Sequence, residues 1–148
     1  AKLKSAISIP VMVDESLVTF EDAQQLISAQ ACDFFNLRIS KCGGICKTLR
    51  LAELAKKAGI RLQLGAQVGE TAILSAAGRH IAAYWDQLDF VEGSFGTMLL
   101  KEDIAEERVN FGHGGKAPLL GGVGFGIKIR DECLRKYAVQ IIECGKNE

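Results

Sequence analysis

The chain has 148 residues, of which 48% are hydrophobic and 24% are charged, and its 18 basic side chains balance its 18 acidic ones. This length and composition predict one globular domain with a sizeable core, and the scattered basic residues argue against a nucleic-acid partner. No apolar run approaches the roughly 20 residues that span a bilayer, and no signal segment opens the chain, so we expect a cytoplasmic protein without a membrane partner.

Strand-like and helix-like segments alternate along the first 95 residues. Residues 9–13 form an apolar run that predicts a strand, and Thr19 then caps an amphipathic segment that predicts a helix. The pattern repeats, and Gly59 ends the second helix. The predicted strands are residues 9–13, 34–39, 60–65 and 88–93, and the predicted helices are residues 19–30, 48–59 and 70–85.

The predicted strands begin roughly 25 residues apart, which is typical of a repeated strand–helix unit. Nearly continuous apolar strands that alternate with amphipathic helices indicate an α/β fold with a parallel sheet covered by helices. Two architectures fit this pattern: an open doubly wound sheet, or part of a (β/α) barrel with four parallel strands.

The residues after position 93 are richer in glycine. They predict short strand-like pieces at 108–111 and 125–129 and a closing helix over 130–143, capped by Asp131. The run GGVGFG (121–126) lacks the lysine and hydroxyl ending of a phosphate loop, so a turn is favoured there. We therefore divide the chain into a half barrel (1–95) and a C-terminal appendage packed on it (96–148), within one domain.

Five cysteines stand at positions 32, 42, 46, 133 and 144. Their number is odd, and the four-residue separation of Cys42 and Cys46 is not that of a zinc knuckle. We expect reduced and mostly structural thiols, with a metal or redox role as the alternative.

Polar residues follow each predicted strand, where the carboxyl ends of parallel strands meet. Such residues can be polar simply because strand ends are exposed to water. Carboxylates at several strand ends, however, also suit a hard cation such as magnesium. The residues are Asp14, Glu15, Asn36, Arg38, Lys41, Gln63, Gln67, Glu70 and Glu92.

Five segments, in order and spacing, resemble the C-terminal half of the enolase superfamily, of the muconate lactonizing enzyme and mandelate racemase type. The segments are IPVMVDES, DFFNLRISKCGGI, AELAKKAGI, LGAQVGETAILSAAGRHIAA and VNFGHGGKAPLLGGVGFGIKI. The resemblance implies part of a (β/α)7β barrel, in which three strand-end carboxylates hold a magnesium ion. That ion stabilises the enediolate formed when a base removes the proton α to a substrate carboxylate.

The resemblance also implies roles for particular residues. Asp14 matches the third metal ligand, with Glu15 beside it, and Glu70 lies near a seventh-strand acid. Arg38 occupies the position where many members carry a catalytic lysine on the sixth strand. The capping domain, the first four strands, the first two metal carboxylates and the second-strand bases have no counterpart here. Magnesium is therefore the implied cofactor, bound weakly or not at all by this chain alone.

Strand alternation places Asn36 and Arg38 on the face of the presumed site. Arginine, with a pKa above about 12, is a poor proton acceptor, so Arg38 suits holding a carboxylate or stabilising an enediolate. Lys41 acts as a base only if the strand end curls inward; otherwise it caps the turn and faces solvent. We expect Asn36, Gln67 and Glu92 to bind a small carboxylic acid. His80 and His113 are expected to be structural.

A half barrel leaves its first and last strands as unpaired edges, which predicts a homodimer. Three hypotheses follow. The chain is part of an enolase-superfamily lyase, isomerase, racemase or dehydratase; or it is a non-catalytic half barrel that dimerises as a small-molecule-binding or assembly module; or it is a remnant without activity.

Overall fold

A computed structural model describes residues 1–93 and 96–142, and within them four parallel strands form one open sheet in the order β1-β2-β3-β4. The strands are β1 (Met12–Val13), β2 (Phe34–Leu37), β3 (Arg61–Leu64) and β4 (Phe90–Val91). The helices are α1 (Lys2–Ala6), α2 (Phe20–Ser28), α3 (Ile45–Ala58), α4 (Ala72–Tyr84), α5 (Gly96–Leu99) and α6 (Asp131–Tyr137), and a 3-10 helix spans His113–Gly115. No helix in this part of the chain is long and apolar enough to cross a membrane.

Capping geometry confirms the predicted start of α2 and the predicted end of α3, whereas α2 ends at Ser28 rather than at residue 30 and α3 begins at Ile45 rather than at residue 48. The Thr19 hydroxyl accepts a hydrogen bond from the Asp22 amide at 3.1 Å, and the Asp22 carboxylate accepts one from the Thr19 amide at 2.8 Å. This reciprocal pair satisfies amides that the first helical turn leaves free. At the C-terminal end of α3, Gly59 adopts the left-handed conformation with φ of 70°. This conformation costs a glycine little and stops the helix.

The two faces of the sheet have different surroundings. Phe35 and Leu37 of β2 are at most 1% exposed and pack, with Leu62 of β3, against apolar residues of α2 and α3. The alternate residues point to the opposite, inner face, where the parallel register sets Asn36 beside Gln63. No element of the described chain forms a second layer over this inner face like the helical layer on the outer one. The sheet is therefore half of a barrel wall.

The C-terminal segment differs from the sequence prediction. Residues 108–111 and 125–129 are not strands, because the described backbone there pairs only at one antiparallel bridge, between Ala105 and Ile129. Side-chain packing holds the segment instead: Ala105 and Val109 form a small cluster with α4. The division of the chain at residue 95 stays an interpretation.

The closing helix is shorter than predicted. Asp131 is its first helical residue, not its cap, and the helix ends at Tyr137. The next residues include Val139 and Ile142, which are exposed, so no buried apolar face stabilises further helical turns. Position 143 of the predicted helix, like Cys144, lies outside the described residues.

Candidate site at the carboxyl ends of the strands

Asp14, Glu15 and Arg38 meet where β1 and β2 end. The parallel register pairs Val13 with Phe35, so the residues that follow each strand emerge side by side. One guanidinium nitrogen of Arg38, Nη2, donates to Asp14 Oδ1 and to Glu15 Oε1, both at 2.6 Å. A single nitrogen thus joins the two carboxylates that the sequence placed at the metal position.

Lys41 belongs to the same cluster, so of the two alternatives for this residue the inward position holds and the solvent-facing position is wrong. Its Nζ donates to Asp14 Oδ1 at 2.7 Å, to the Asp14 carbonyl at 2.6 Å and to the Asn36 carbonyl at 2.9 Å. The turn after β2 curls inward, because the Cys42 amide bonds to the Arg38 carbonyl at 2.8 Å. An ammonium has three N–H donors, and all three are used.

The charges in this cluster stabilise one another. Burial by itself raises the pKa of Asp14, but hydrogen bonds and charge from Lys41 and Arg38 outweigh burial and hold this pKa below its ordinary value of 3.8. Burial likewise lowers the pKa of Arg38, whereas Glu15 and Asp14 more than offset it and raise that pKa. Asp14 is therefore ionised and Arg38 charged at neutral pH, and neither exchanges a proton readily there.

Asn36 lies deeper on the inner face. It is 5% exposed, and its Oδ1 has no hydrogen-bond partner in the described chain. It packs against Gly65, where an added Cβ would stand 2.1 Å from Asn36 Oδ1 and 2.9 Å from Arg38 Cγ. Gly65 is not among the residues that the sequence predicted for the site. Its position directly after an apolar strand was the signal that pointed to a close backbone contact there.

A second group of the predicted site residues forms at the ends of β3 and β4. Glu70 is buried and accepts from the Ser75 hydroxyl at 2.5 Å and from the Gln67 amide at 3.0 Å. Glu92 is exposed and accepts from Gln63 Nε2 at 2.9 Å and from the Ala66 amide at 3.3 Å.

The bonds of Glu70 and Glu92 therefore run within this second group and not to Asp14. Gln67, Glu70 and Glu92 line a cavity of about 20 Å³ together with Arg79, which is room for about one water molecule.

The two histidines lie apart from both groups. His80 Nε2 is 3.1 Å from the Phe125 carbonyl, so this side chain joins α4 to the glycine-rich segment. His113 is exposed in the 3-10 helix. Cys32, Cys42 and Cys133 are buried free thiols, whereas Cys46 is exposed.

The donor set does not fit a magnesium ion. Magnesium is held through several oxygens in near-octahedral geometry, but Asp14 Oδ1 already accepts from two cations and Glu15 Oε1 from one. Across residues 1–93 and 96–142, no three or more acidic, histidine or cysteine side chains form a group that could hold a metal.

The fold and the strand-end cluster define half of a (β/α) barrel with its polar residues at the carboxyl ends of the strands. Residues 1–133 match the family model described as Enolase C-terminal domain-like. The chain therefore belongs to this family, and within it to the muconate lactonizing enzyme and mandelate racemase type.

Curated relatives include muconate cycloisomerase 1 of Rhodococcus opacus, which is 32% identical over 93% of this chain, and N-succinyl-L-Arg/Lys racemase of Bacillus cereus, which is 33% identical over 94%. The match covers 36% of each relative, so the chain spans about a third of their length.

Solved structures agree. The N-succinyl Arg/Lys racemase from Bacillus cereus superposes with a TM-score of 0.83 at 30% identity, covering 94% of this chain and 36% of that one. A muconate lactonizing enzyme gives 0.82 at 31% identity, with 92% and 37% covered.

Proposed function

We propose that this chain supplies the C-terminal half of the barrel of an enzyme that removes the proton α to a carboxylate. The observation that carries the proposal is the cluster of Asp14, Arg38 and Lys41, which stands at two adjacent strand ends on the inner side of the half barrel. Named relatives that isomerise or racemise carboxylic acids support it. The reaction would be that of an isomerase, racemase, lyase or dehydratase.

In this proposal Arg38 binds the substrate carboxylate or the enediolate. Its forked geometry suits that role, and its raised pKa excludes it as the base. Lys41 fixes Asp14 and the turn, and Asn36, Gln67, Glu70 and Glu92 line the substrate side. The base and the remaining carboxylates would come from a further polypeptide segment. Magnesium would bind only in that larger assembly.

The test is a titration of small carboxylic acids, with and without magnesium, read by thermal shift and calorimetry. Suitable acids are muconate, an N-succinyl amino acid and a dipeptide. A ligand at ten times its Kd should stabilise the chain by about 1.4 kcal/mol. We expect Arg38→Ala to abolish this shift, Arg38→Lys to retain part of it, and the exposed control Arg108→Ala to leave it unchanged. An undiminished shift in Arg38→Ala would remove Arg38 from the site.

A second candidate is a half barrel that dimerises as a binding or assembly module. Edge strands β1 and β4 each pair on one side only in the described structure, and Met12 and Phe90 on them are 37% and 52% exposed. Two chains could close an eight-stranded barrel through these edges.

Light scattering after size exclusion should then give twice the chain mass. Phe90→Lys should give the monomer, whereas Leu119→Lys, an equally drastic change at an exposed apolar residue elsewhere, should not. A stable wild-type monomer at micromolar concentration would refute this candidate.

A further inference from the structure

A second cavity, separate from the inner face, opens between the first turns of α2 and α3. Its volume is about 370 Å³, which is enough for a small ligand. Its lining contains both cationic and apolar side chains. The lining residues include Phe20, Glu21, Lys41, Lys47, Arg50 and Leu51.

Two of its cations are available to a ligand. Lys41 is committed to Asp14, but Lys47 and Arg50 have no salt-bridge partner in the described part of the chain. The positive charge of these two exceeds the one carboxylate among the described lining residues, Glu21. An unneutralised pair of cations in a concave site attracts anions and raises their local concentration.

Both cations lie against neighbouring residues of the cavity lining. The Lys47 stem folds back over Gly43, where a Cβ would meet Lys47 Cδ at 3.2 Å and Nζ at 3.4 Å. Arg50 lies with its guanidinium carbon 5.4 Å from the centre of the Phe20 ring, which is a cation–π contact. Lys47 and Arg50 are three residues apart on α3, so they share one face of the helix, and both line this cavity.

We propose that this cavity binds a compact oxyanion, specifically a phosphate group, between Lys47 and Arg50. The forked guanidinium matches phosphate oxygens, and the lysine adds a point charge. The start of the 14-residue α3 contributes a smaller attraction of the same sign. This inference does not depend on the proposed catalytic function, because the phosphate is assigned to Lys47 and Arg50, which that function does not use; Lys41 lines the cavity but is engaged by Asp14.

The experiment is a titration of the 148-residue chain with inorganic phosphate at constant ionic strength, followed by amide chemical shifts. We expect saturable shifts centred on residues 18–21 and 41–51. Lys47→Gln and Arg50→Gln should each weaken binding about two- to fivefold, as for exposed ion pairs, and the double variant about tenfold. Lys57→Gln removes a cation at the far end of the same helix and should leave the affinity within about twofold.

Two results would overturn the site. One is a non-saturating drift that equimolar chloride reproduces. The other is equal weakening by Lys57→Gln, which would show a general charge effect. A phosphate monoester with a small apolar group, used in a second titration, should bind at least as well as inorganic phosphate, because the apolar Phe20 and Leu51 also line the cavity.

Discussion

At the residue scale, the side chains of Arg38 and Lys41 both form salt bridges with the carboxylate of Asp14. Asp14 Oδ1 accepts hydrogen bonds from both cations, and the Asp14 side chain is 30% exposed. Removing the Asp14 carboxylate leaves Arg38 with Glu15 alone and Lys41 with two backbone carbonyls, and a partly buried cation that loses a charged partner costs more than an exposed pair is worth. Asp14 is therefore as much a structural residue of this chain as a candidate ligand.

Asp14→Asn should lower the free energy of unfolding by about 1–3 kcal/mol at neutral pH, measured by urea denaturation. The exposed Asp86→Asn is the control and should change it by less than about 0.5 kcal/mol. Because the folded-state pKa of Asp14 lies below 3.8, its contribution is present above that pH and is lost as the pH falls further. The difference between wild type and Asp14→Asn should therefore shrink under acid. A difference that grows on acidification would contradict the ion cluster.

Gly65→Ala tests the packing of Asn36. The added Cβ would lie 2.1 Å from Asn36 Oδ1, and a buried side chain has little room to move, so we expect a loss of about 1–3 kcal/mol. Gly121→Ala, where a Cβ meets no atom within 4 Å, should be nearly neutral. Combining Gly65→Ala with Asn36→Ala should recover part of the loss; additive losses in this double-mutant cycle would show that the two residues do not touch.

At the element scale, the sequence located the regular elements better than the irregular ones. The caps at Thr19 and Gly59 mark helix ends through local chemistry, so the sequence predicts them. The inward position of Lys41 depends on the acceptors Asp14 and Asn36, which lie on two strands or directly after them, and local pattern does not report such contacts. The expected strands at 108–111 and 125–129 failed for a similar reason, since a strand requires a partner that alternation cannot supply.

Glu102 explains where α6 docks. Its carboxylate accepts hydrogen bonds from Lys136, Tyr137 and Cys133, and these, Lys136 first, lower the pKa of Glu102 from 4.5 to about 2. The stabilisation that the ionised Glu102 gives to the packing of α6 is thus complete above about pH 4.5 and is lost as the pH falls towards 2.

Glu102→Gln should release α6 at neutral pH, seen as faster amide hydrogen exchange over residues 131–137 with the exchange of α3 unchanged. Glu132→Gln, which alters an exposed acid on α6 itself, is the matched control. Equal exchange in wild type and Glu102→Gln would show that the carboxylate does not hold the helix.

At the scale of the whole molecule, the resemblance in sequence identified half of a barrel, and the structure and relatives confirmed it. The sequence does not indicate what covers the inner face of the sheet. This face is polar along Asn36 and Gln63 and carries the exposed Phe90 at its edge. A barrel interior is normally filled by side chains from all strands. In the enzyme proposed above, further strands would pack their side chains over this face and close it.

The final prediction concerns magnesium. With Asp14 at the metal position engaged by Arg38 and Lys41, and Glu15 beside it engaged by Arg38, the isolated chain should show no saturable magnesium binding below about 1 mM by calorimetry. Asp14→Asn and Asp86→Asn should behave alike in this titration, because there is no site for the first to remove. Tight binding that disappears in Asp14→Asn and persists in Asp86→Asn would show that the two cations yield to the metal, and that this half barrel holds more of the catalytic apparatus than its donor set indicates.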